Sequence, residues 1–296
     1  MNTIILGSTG QLGQDLMKAF GDGTVGITHQ ELDVADGVTV AKTLHALKPD
    51  CVVNTAAFHR VDDCEVNPGL AFTVNTLGAR NVAKASADVG AVVVFVSTDY
   101  VFGEQPRARG NPYREPDQPG PLNAYGVSKA AGERLVMQAN PRHLIVRSSG
   151  LYGTATSRKG WTFPELMLHK ARTEPIIRVV DDQVLAPTFT ADLAATVRQL
   201  VQRDATGVFH VTNSGECSWF EFAQSVFEIA GTVVNLEPVS TSMMKTRARR
   251  PQYSAMVSER LARVGIDPLR SWSQALREYL TVKGVAAAAH AEGAGR

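Results

Sequence analysis

Thr3-Ile4-Ile5-Leu6-Gly7-Ser8-Thr9-Gly10-Gln11-Leu12-Gly13 passes from an apolar run, through a glycine-punctuated turn, into a helical pattern that continues to Phe20. A strand, a Gly-x-x-Gly-x-x-Gly turn and a helix form the context in which backbone can approach a pyrophosphate, because no side chain intervenes and helix N–H groups face the anion. The first gap is one residue longer than in the usual dehydrogenase spacing, so the triplet alone also fits a plain turn. On the binding reading, Gly7, Gly10, Gln11, Leu12 and Gly13 touch a dinucleotide.

The same strand-then-helix rhythm recurs downstream. Gly23 to Ile27 precedes Asp36 to Leu47, and Cys51 to Asn54 precedes Pro68 to Val89. Ala91 to Ser97 is apolar on both parities, as a central strand covered on both faces should be, and His143 to Arg147 returns as another strand. The alternation predicts an α/β fold with a doubly wound parallel sheet, Rossmann-like, over residues 1–149, completed by a strand and a helix within 176–203. Past Gly150 the pattern loosens into helices at Phe163 to Ala171, Thr190 to Arg203, Ser218 to Ala230 and Trp272 to Leu280, which fits a smaller mixed substrate domain over 150–282. The Ala- and Gly-rich stretch 283–296 reads as a frayed tail. Five prolines between Gly103 and Pro121 exclude helix and central strand there and predict a surface loop.

Composition narrows the function classes. Thirty basic residues against twenty-nine acidic ones leave no global field to recruit nucleic acid or an anionic membrane. No apolar run approaches spanning length and no leader pattern precedes the glycine turn, so the expected location is cytoplasmic. Cys51, Cys64 and Cys217 have no C-x-x-C spacing and read as reduced thiols.

Tyr125-Gly126-Val127-Ser128-Lys129 carries the chemistry. Asn123 can cap a helix that places Tyr125 and Lys129 on one face. Reducing a ketone needs a hydride and a proton for the developing alkoxide. A phenol of ordinary pKa near 10 gives up its proton more readily when an ammonium within about 4–6 Å lowers that pKa by roughly 1–3 units. Lys129 is the candidate cation, with a second role on the nicotinamide ribose. Thr98 leaves the C-terminal end of the central strand, the edge where open α/β sheets bind ligands, and offers a hydroxyl to the same oxygen. At the end of the second strand, Asp33 and Val34 either line the adenine end or belong to a helix entry capped by Asp36, and no arginine there claims a 2′-phosphate. The choice between NADPH and NADH stays open.

Together these segments resemble the dTDP-4-dehydrorhamnose reductases within the extended short-chain dehydrogenase/reductases. The likeness runs from Thr3 to about Tyr279 and includes Val52-Val53-Asn54-Thr55-Ala56-Ala57, Ser97-Thr98-Asp99-Tyr100-Val101-Phe102, Asp182-Gln183-Val184-Leu185-Ala186-Pro187-Thr188 and Ala248-Arg249-Arg250-Pro251. The resemblance implies reduction of the C4 ketone of a dTDP-4-keto-6-deoxysugar by NAD(P)H, giving dTDP-L-rhamnose. Tyr125 would donate the proton with Thr98 and Lys129 assisting. Ala56, Ala57, Phe58, His59 and Val96 would touch the cofactor. Val61, Asp99 and Tyr100 would approach the sugar, and Arg249 and Arg250 the diphosphate.

Tyr100 stands where related dehydratases place a glutamate, which argues against dehydration. Two departures bear on the sugar: Gly150 replaces an aromatic residue usual after Arg-x-Ser, and Phe58-His59-Arg60 replaces a threonine-containing stretch. The competing reading is a non-catalytic NADP-binding regulatory subunit resembling the β subunit of methionine adenosyltransferase. Metal-ligand spacing is absent, magnesium contacts through Asp15 or Glu133 stay open, and so does a homodimer.

Overall fold

The computed structural model describes residues 1–155 and 160–285. The first half alternates as its sequence predicts: β1 (Thr3–Leu6), α1 (Gln11–Phe20), β2 (Thr24–Ile27), α2 (Gly37–Leu47), β3 (Cys51–Asn54), α3 (Val61–Val66), α4 (Pro68–Phe72), α5 (Ala79–Asp88), β4 (Val92–Thr98), α6 (Ala124–Ala139) and β5 (His143–Ser148). The second half contains β6 (Leu151–Tyr152), α7 (Phe163–Thr173), β7 (Ile177–Val180), β8 (Val184–Leu185), β9 (Thr188–Phe189), α8 (Thr190–Gln202), β10 (Gly207–His210), β11 (Cys217–Ser218), α9 (Trp219–Ala230), β12 (Leu236–Val239) and α10 (Trp272–Val282).

Among the described residues, six strands form one sheet in the order β10-β5-β4-β3-β1-β2, with every pairing parallel. Side chains alternate across it. Ile5, Val53, Val94 and Val146 meet α1 and α8 on one face. Ile4, Val52, Phe95 and Ile145 meet α2, α5 and α6 on the other. β1 pairs with β2 on one side and β3 on the other, so the chain reverses its winding direction between β1 and β3. That reversal opens a crevice at the C-terminal strand ends.

Four sequence readings are corrected. The strand that completes the sheet is β10, beyond the expected 176–203 window, whereas β7 within that window pairs with β12. Periodicity cannot tell which apolar strand finds which edge. The helical stretch from Pro68 is interrupted by a π-helical turn at Thr73–Gly78. The Gly103–Pro121 loop is not wholly superficial: Tyr113 is buried, stacked on Phe102 at 4.2 Å between ring centres, and Glu115 is buried as well. The start of the expected tail is packed, with Lys283 paired to Glu165 at 2.6 Å and Val285 against the C-terminal core, while 286–296 lie outside the described residues.

That C-terminal core gathers Tyr152, Phe189, Phe222 and Tyr279 from four separate elements. No helix among the described residues is long and apolar enough to cross a membrane. Cys51, Cys64 and Cys217 are buried, and burial pushes the Cys51 thiol up to about 12.

Candidate active site

The glycine turn sits at the crevice. Gly7 has φ +82°, and a Cβ there would lie 2.5 Å from Thr55 Oγ1. A Cβ on Gly13 would lie 2.2 Å from the Gly7 carbonyl oxygen, so only glycine lets α1 approach the β1 turn this closely. Gly10 caps α1 without a side chain. The N–H groups of Gln11, Leu12 and Gly13 in the first turn lie too early in the helix to reach a carbonyl of their own helix, which leaves a bare anion cradle. The Gln11 side chain reaches over to donate to the Ala155 carbonyl at 3.4 Å.

Across the crevice, the segment after β3 carries Ala56, Ala57, Phe58 and His59. It is held by Asn75, which stands in the π-helical turn: Asn75 Oδ1 accepts from Phe58 N at 2.8 Å, while Asn75 Nδ2 donates to the Phe58 carbonyl at 2.9 Å and to Ser128 Oγ at 3.0 Å. His59 is exposed, with Nδ1 3.1 Å from the Ala57 carbonyl oxygen. Asn75 was missed in the sequence because a π insertion leaves no mark on apolar spacing, and Ser128 because its partner on another helix leaves none either.

At the adenine end, Asp36 caps α2 by accepting from the backbone of Val38 and Thr39, which settles the helix-entry alternative for that acid. Asp33 is exposed and accepts from Ala35 N at 2.9 Å. Val34 departs from expectation. Its side chain is buried in the α2–α5 core, close against Gly78, and its carbonyl accepts from Asn81 Nδ2 at 3.1 Å.

Tyr125 and Lys129 do share the inner face of α6, and Asn123 caps the helix as anticipated by accepting from Gly126 N at 2.8 Å. Thr98 stands beside the Tyr125 phenol while its own hydroxyl donates to Asp99 Oδ1 at 3.1 Å, the Tyr100 ring stands edge-on to Tyr125 at 6.0 Å, and Val61 opens α3. The electrostatics differ from the sequence-based picture. Burial pushes the Tyr125 phenol above its ordinary range, and the neighbouring Thr98 hydroxyl is the largest opposing pull. Lys129 is turned toward the sheet instead: its ammonium donates to the Val96 carbonyl at 2.6 Å and lies 3.9 Å from the centre of the Phe95 ring. Burial lowers Lys129 to about 7, with Glu133 pulling the other way.

The expected substrate residues divide. Asp99 is buried and accepts from Ser149 Oγ at 2.8 Å, Ser254 Oγ at 2.6 Å and Thr98 Oγ1 at 3.1 Å, so it ties three segments together. Burial raises its carboxyl. Tyr100 is raised by burial and by the Asp99 charge, with the Arg250 guanidinium pulling the other way. Arg250 also pairs with Asp62 at 2.9 Å, while Arg249 is exposed and engaged through its carbonyl, which accepts from Asn123 Nδ2. Gly150 has φ +53°, and a Cβ there would meet Leu185 Cδ1 at 2.7 Å, so Leu185 fills the space beside it.

Of the two magnesium candidates, Asp15 accepts from Thr190 and Lys18. Glu133 is fully engaged by Arg147 and Ser97. No group of three or more His, Cys, Asp or Glu side chains suited to a metal occurs among the described residues.

The family model described as RmlD substrate binding domain matches residues 1–284. The chain belongs to that family. The spore coat polysaccharide biosynthesis protein SpsK of Bacillus subtilis is 39% identical over 94% of this chain and 96% of its own length. A dTDP-4-dehydrorhamnose reductase of Streptomyces griseus is 36% identical over 93% and 91%. The crystal structure of dTDP-4-dehydrorhamnose reductase from Bacillus anthracis in complex with NADP superposes with a TM-score of 0.89 at 37% identity, covering 95% of this chain and 98% of that one.

Proposed function

We propose that this member of the RmlD family is a reductase that transfers a hydride from NADPH to the C4 ketone of a dTDP-4-keto-6-deoxysugar, giving dTDP-L-rhamnose from dTDP-4-dehydrorhamnose. The observation that carries the reading is that Thr98 at the C-terminal strand edge stands beside Tyr125, with Lys129 one turn along the same helix, next to a cradle that only glycine permits. The cradle fits a dinucleotide pyrophosphate, held by Gly10 and the first turn of α1, with Ala56 to His59 along the opposite wall and Asp33 toward the adenosine. NADPH supplies the hydride when bound, and NADH remains an alternative donor.

Tyr125 gives its proton to the carbonyl oxygen as hydride reaches the carbon. A phenol pushed upward by burial keeps that proton at neutral pH, and the nascent alkoxide, a far stronger base than a phenolate, draws it off. Thr98 donates to the same oxygen. Lys129, one turn along α6 from Tyr125, would hold the ribose hydroxyls of the bound nucleotide, and its positive charge eases formation of the phenolate. Tyr100 and Arg250 face the sugar and diphosphate, a guanidinium fork matching phosphate oxygens. The same reading carries a cytoplasmic homodimer, for which fractionation and light scattering are the checks.

The test is loss of nicotinamide absorbance when protein, NADPH and dTDP-4-dehydrorhamnose are mixed. Tyr125→Phe lowers turnover by about two to four orders of magnitude, the usual worth of a positioned general acid, with cofactor affinity retained. Nucleotide binding without turnover in the unaltered protein would overturn the reading in favour of a regulatory role.

A further inference from the structure

Three consecutive residues of β4 address three positions on one face of α6. The Val96 carbonyl takes the Lys129 ammonium at 2.6 Å, Ser97 Oγ donates to Glu133 Oε1 at 2.5 Å, and Thr98 meets Tyr125. Glu133 is buried one helical turn beyond Lys129, as Lys129 is one turn beyond Tyr125. Its carboxylate also takes a forked pair from Arg147 on β5, Nε at 2.9 Å and Nη2 at 2.7 Å. Arg147 Nη1 stands 3.4 Å from His210 Nε2 on β10, and His210 N donates to Glu115 at 3.2 Å. A chain of buried polar groups therefore runs from beneath Lys129 across the sheet to its edge strand.

From this geometry we infer that Glu133, held by Ser97 and Arg147, is a positioning residue for the proposed reduction: it fixes the roll of α6 against β4 and keeps the Lys129 ammonium charged. The inference rests on the reductase reading for its kinetic consequence, while its electrostatic consequence appears in nucleotide binding alone. A lysine sealed among apolar side chains is readily neutralised, and the nearest opposite charge opposes that. Burial takes Lys129 down to about 7, and Glu133 is the one attraction resisting it among the causes of that shift. The other charged or titratable groups along this path are Tyr125 on the same helix, with Asp99, Tyr100 and Cys64 acting on it, and Arg147 from β5, His210 from β10 and Glu115 from the loop after Phe102. Arg147 is a cation, so the carboxylate also shields Lys129 from it.

The experiment compares wild type with Glu133→Gln, Ser97→Ala and the double variant Glu133→Gln/Arg147→Gln. Two pH profiles are read: NADPH dissociation constant without sugar, and kcat/KM with it. Losing the carboxylate lets Lys129 neutralise at lower pH, so the alkaline loss of NADPH affinity moves acidward by roughly one unit or more in Glu133→Gln. The shift is smaller in the double variant, where the unpaired guanidinium is gone as well. Ser97→Ala leaves the carboxylate in place, so it lowers kcat and keeps the wild-type profile. If Glu133→Gln does not fold, the double variant, which leaves no unpaired buried charge on that side, gives the reading. An NADPH profile that superimposes on wild type in either Glu133 variant would sink the inference. A wild-type protein that binds NADPH with the expected pH dependence but turns over no sugar nucleotide would instead remove the reductase reading and leave the electrostatic claim standing.

Discussion

Lys129 shows how far one side chain can set function against stability. Its ammonium is buried and lowered to about 7, so the unfolded chain, with an ordinary lysine, holds that proton more tightly than the fold does. A depressed lysine costs stability at and below neutral pH, and the cost fades as pH rises from the folded value toward the unfolded one. Lys129→Met should therefore lose NADPH affinity and turnover yet melt higher at pH 7. A gain of roughly 1–3 kcal/mol is expected once the lost bond to Val96 is set against the relieved burial. Denaturant unfolding beside a nucleotide titration checks both signs, and a variant that is less stable would contradict the buried-charge account. Gly150 makes the opposite case: at φ +53° with Leu185 and Pro187 close by, Gly150→Ala should destabilise by about 1–2 kcal/mol from backbone strain alone. Equal melting temperatures would rule that strain out. From the sequence Gly150 was legible only as a missing aromatic, because nothing local says that a leucine thirty-five positions later occupies the space.

At the level of elements, the strands and most helices were legible because their apolar parity is imposed by two covered faces of one sheet. Thr98, Tyr125 and Lys129 could be grouped from chain order alone, since a strand end and the helix that follows it meet at a known edge. What stayed hidden is what joins distant elements: Asn75 to the Phe58 backbone, Glu133 to Arg147, Asp62 to Arg250. Such pairs depend on tertiary placement and leave no periodic trace. The π-helical turn is the clearest instance, for it turns Asn75 out of helical register and toward the segment after β3. Asn75→Ala strands the Phe58 N–H and leaves its carbonyl only the weak Cys64 Sγ donor at 3.3 Å, and should cost about 1–3 kcal/mol, the usual penalty for stranding buried polar groups. It should also weaken NADPH binding, since Ala56 to His59 lose their anchor. Calorimetric melting with and without NADPH measures both, and unchanged affinity would detach that segment from the cofactor.

For the molecule as a whole, acid is the telling stress. Burial, with Arg147 adding to it, pushes the His210 imidazole from its ordinary 6.5 down to about 4. Between those values the unfolded chain takes a proton that the fold refuses. Stability is thus complete above pH 6.5 and lost as pH falls toward 4, by on the order of 3 kcal/mol from this group. The hydrogen bond from Arg250 holds the Asp62 carboxyl below the usual carboxylate range, which adds a further loss as pH falls below the unfolded value. Unfolding free energies measured from pH 7.5 to 4 should decline across that window, and His210→Gln should flatten the upper part. A decline of unchanged shape would place the acid sensitivity elsewhere.

The late arrival of β10 bears on how the protein is made. The nucleotide half cannot close its sheet until Gly207–His210 have been synthesised, because β5 otherwise presents a bare edge and α8 has yet to cover the adjoining apolar face. A fragment ending at residue 149 should therefore clump in gel filtration and ignore NADPH. On the ribosome, the growing chain carries an unfinished, sticky margin through the whole excursion between β5 and β10, which is the interval when chaperone capture would matter most.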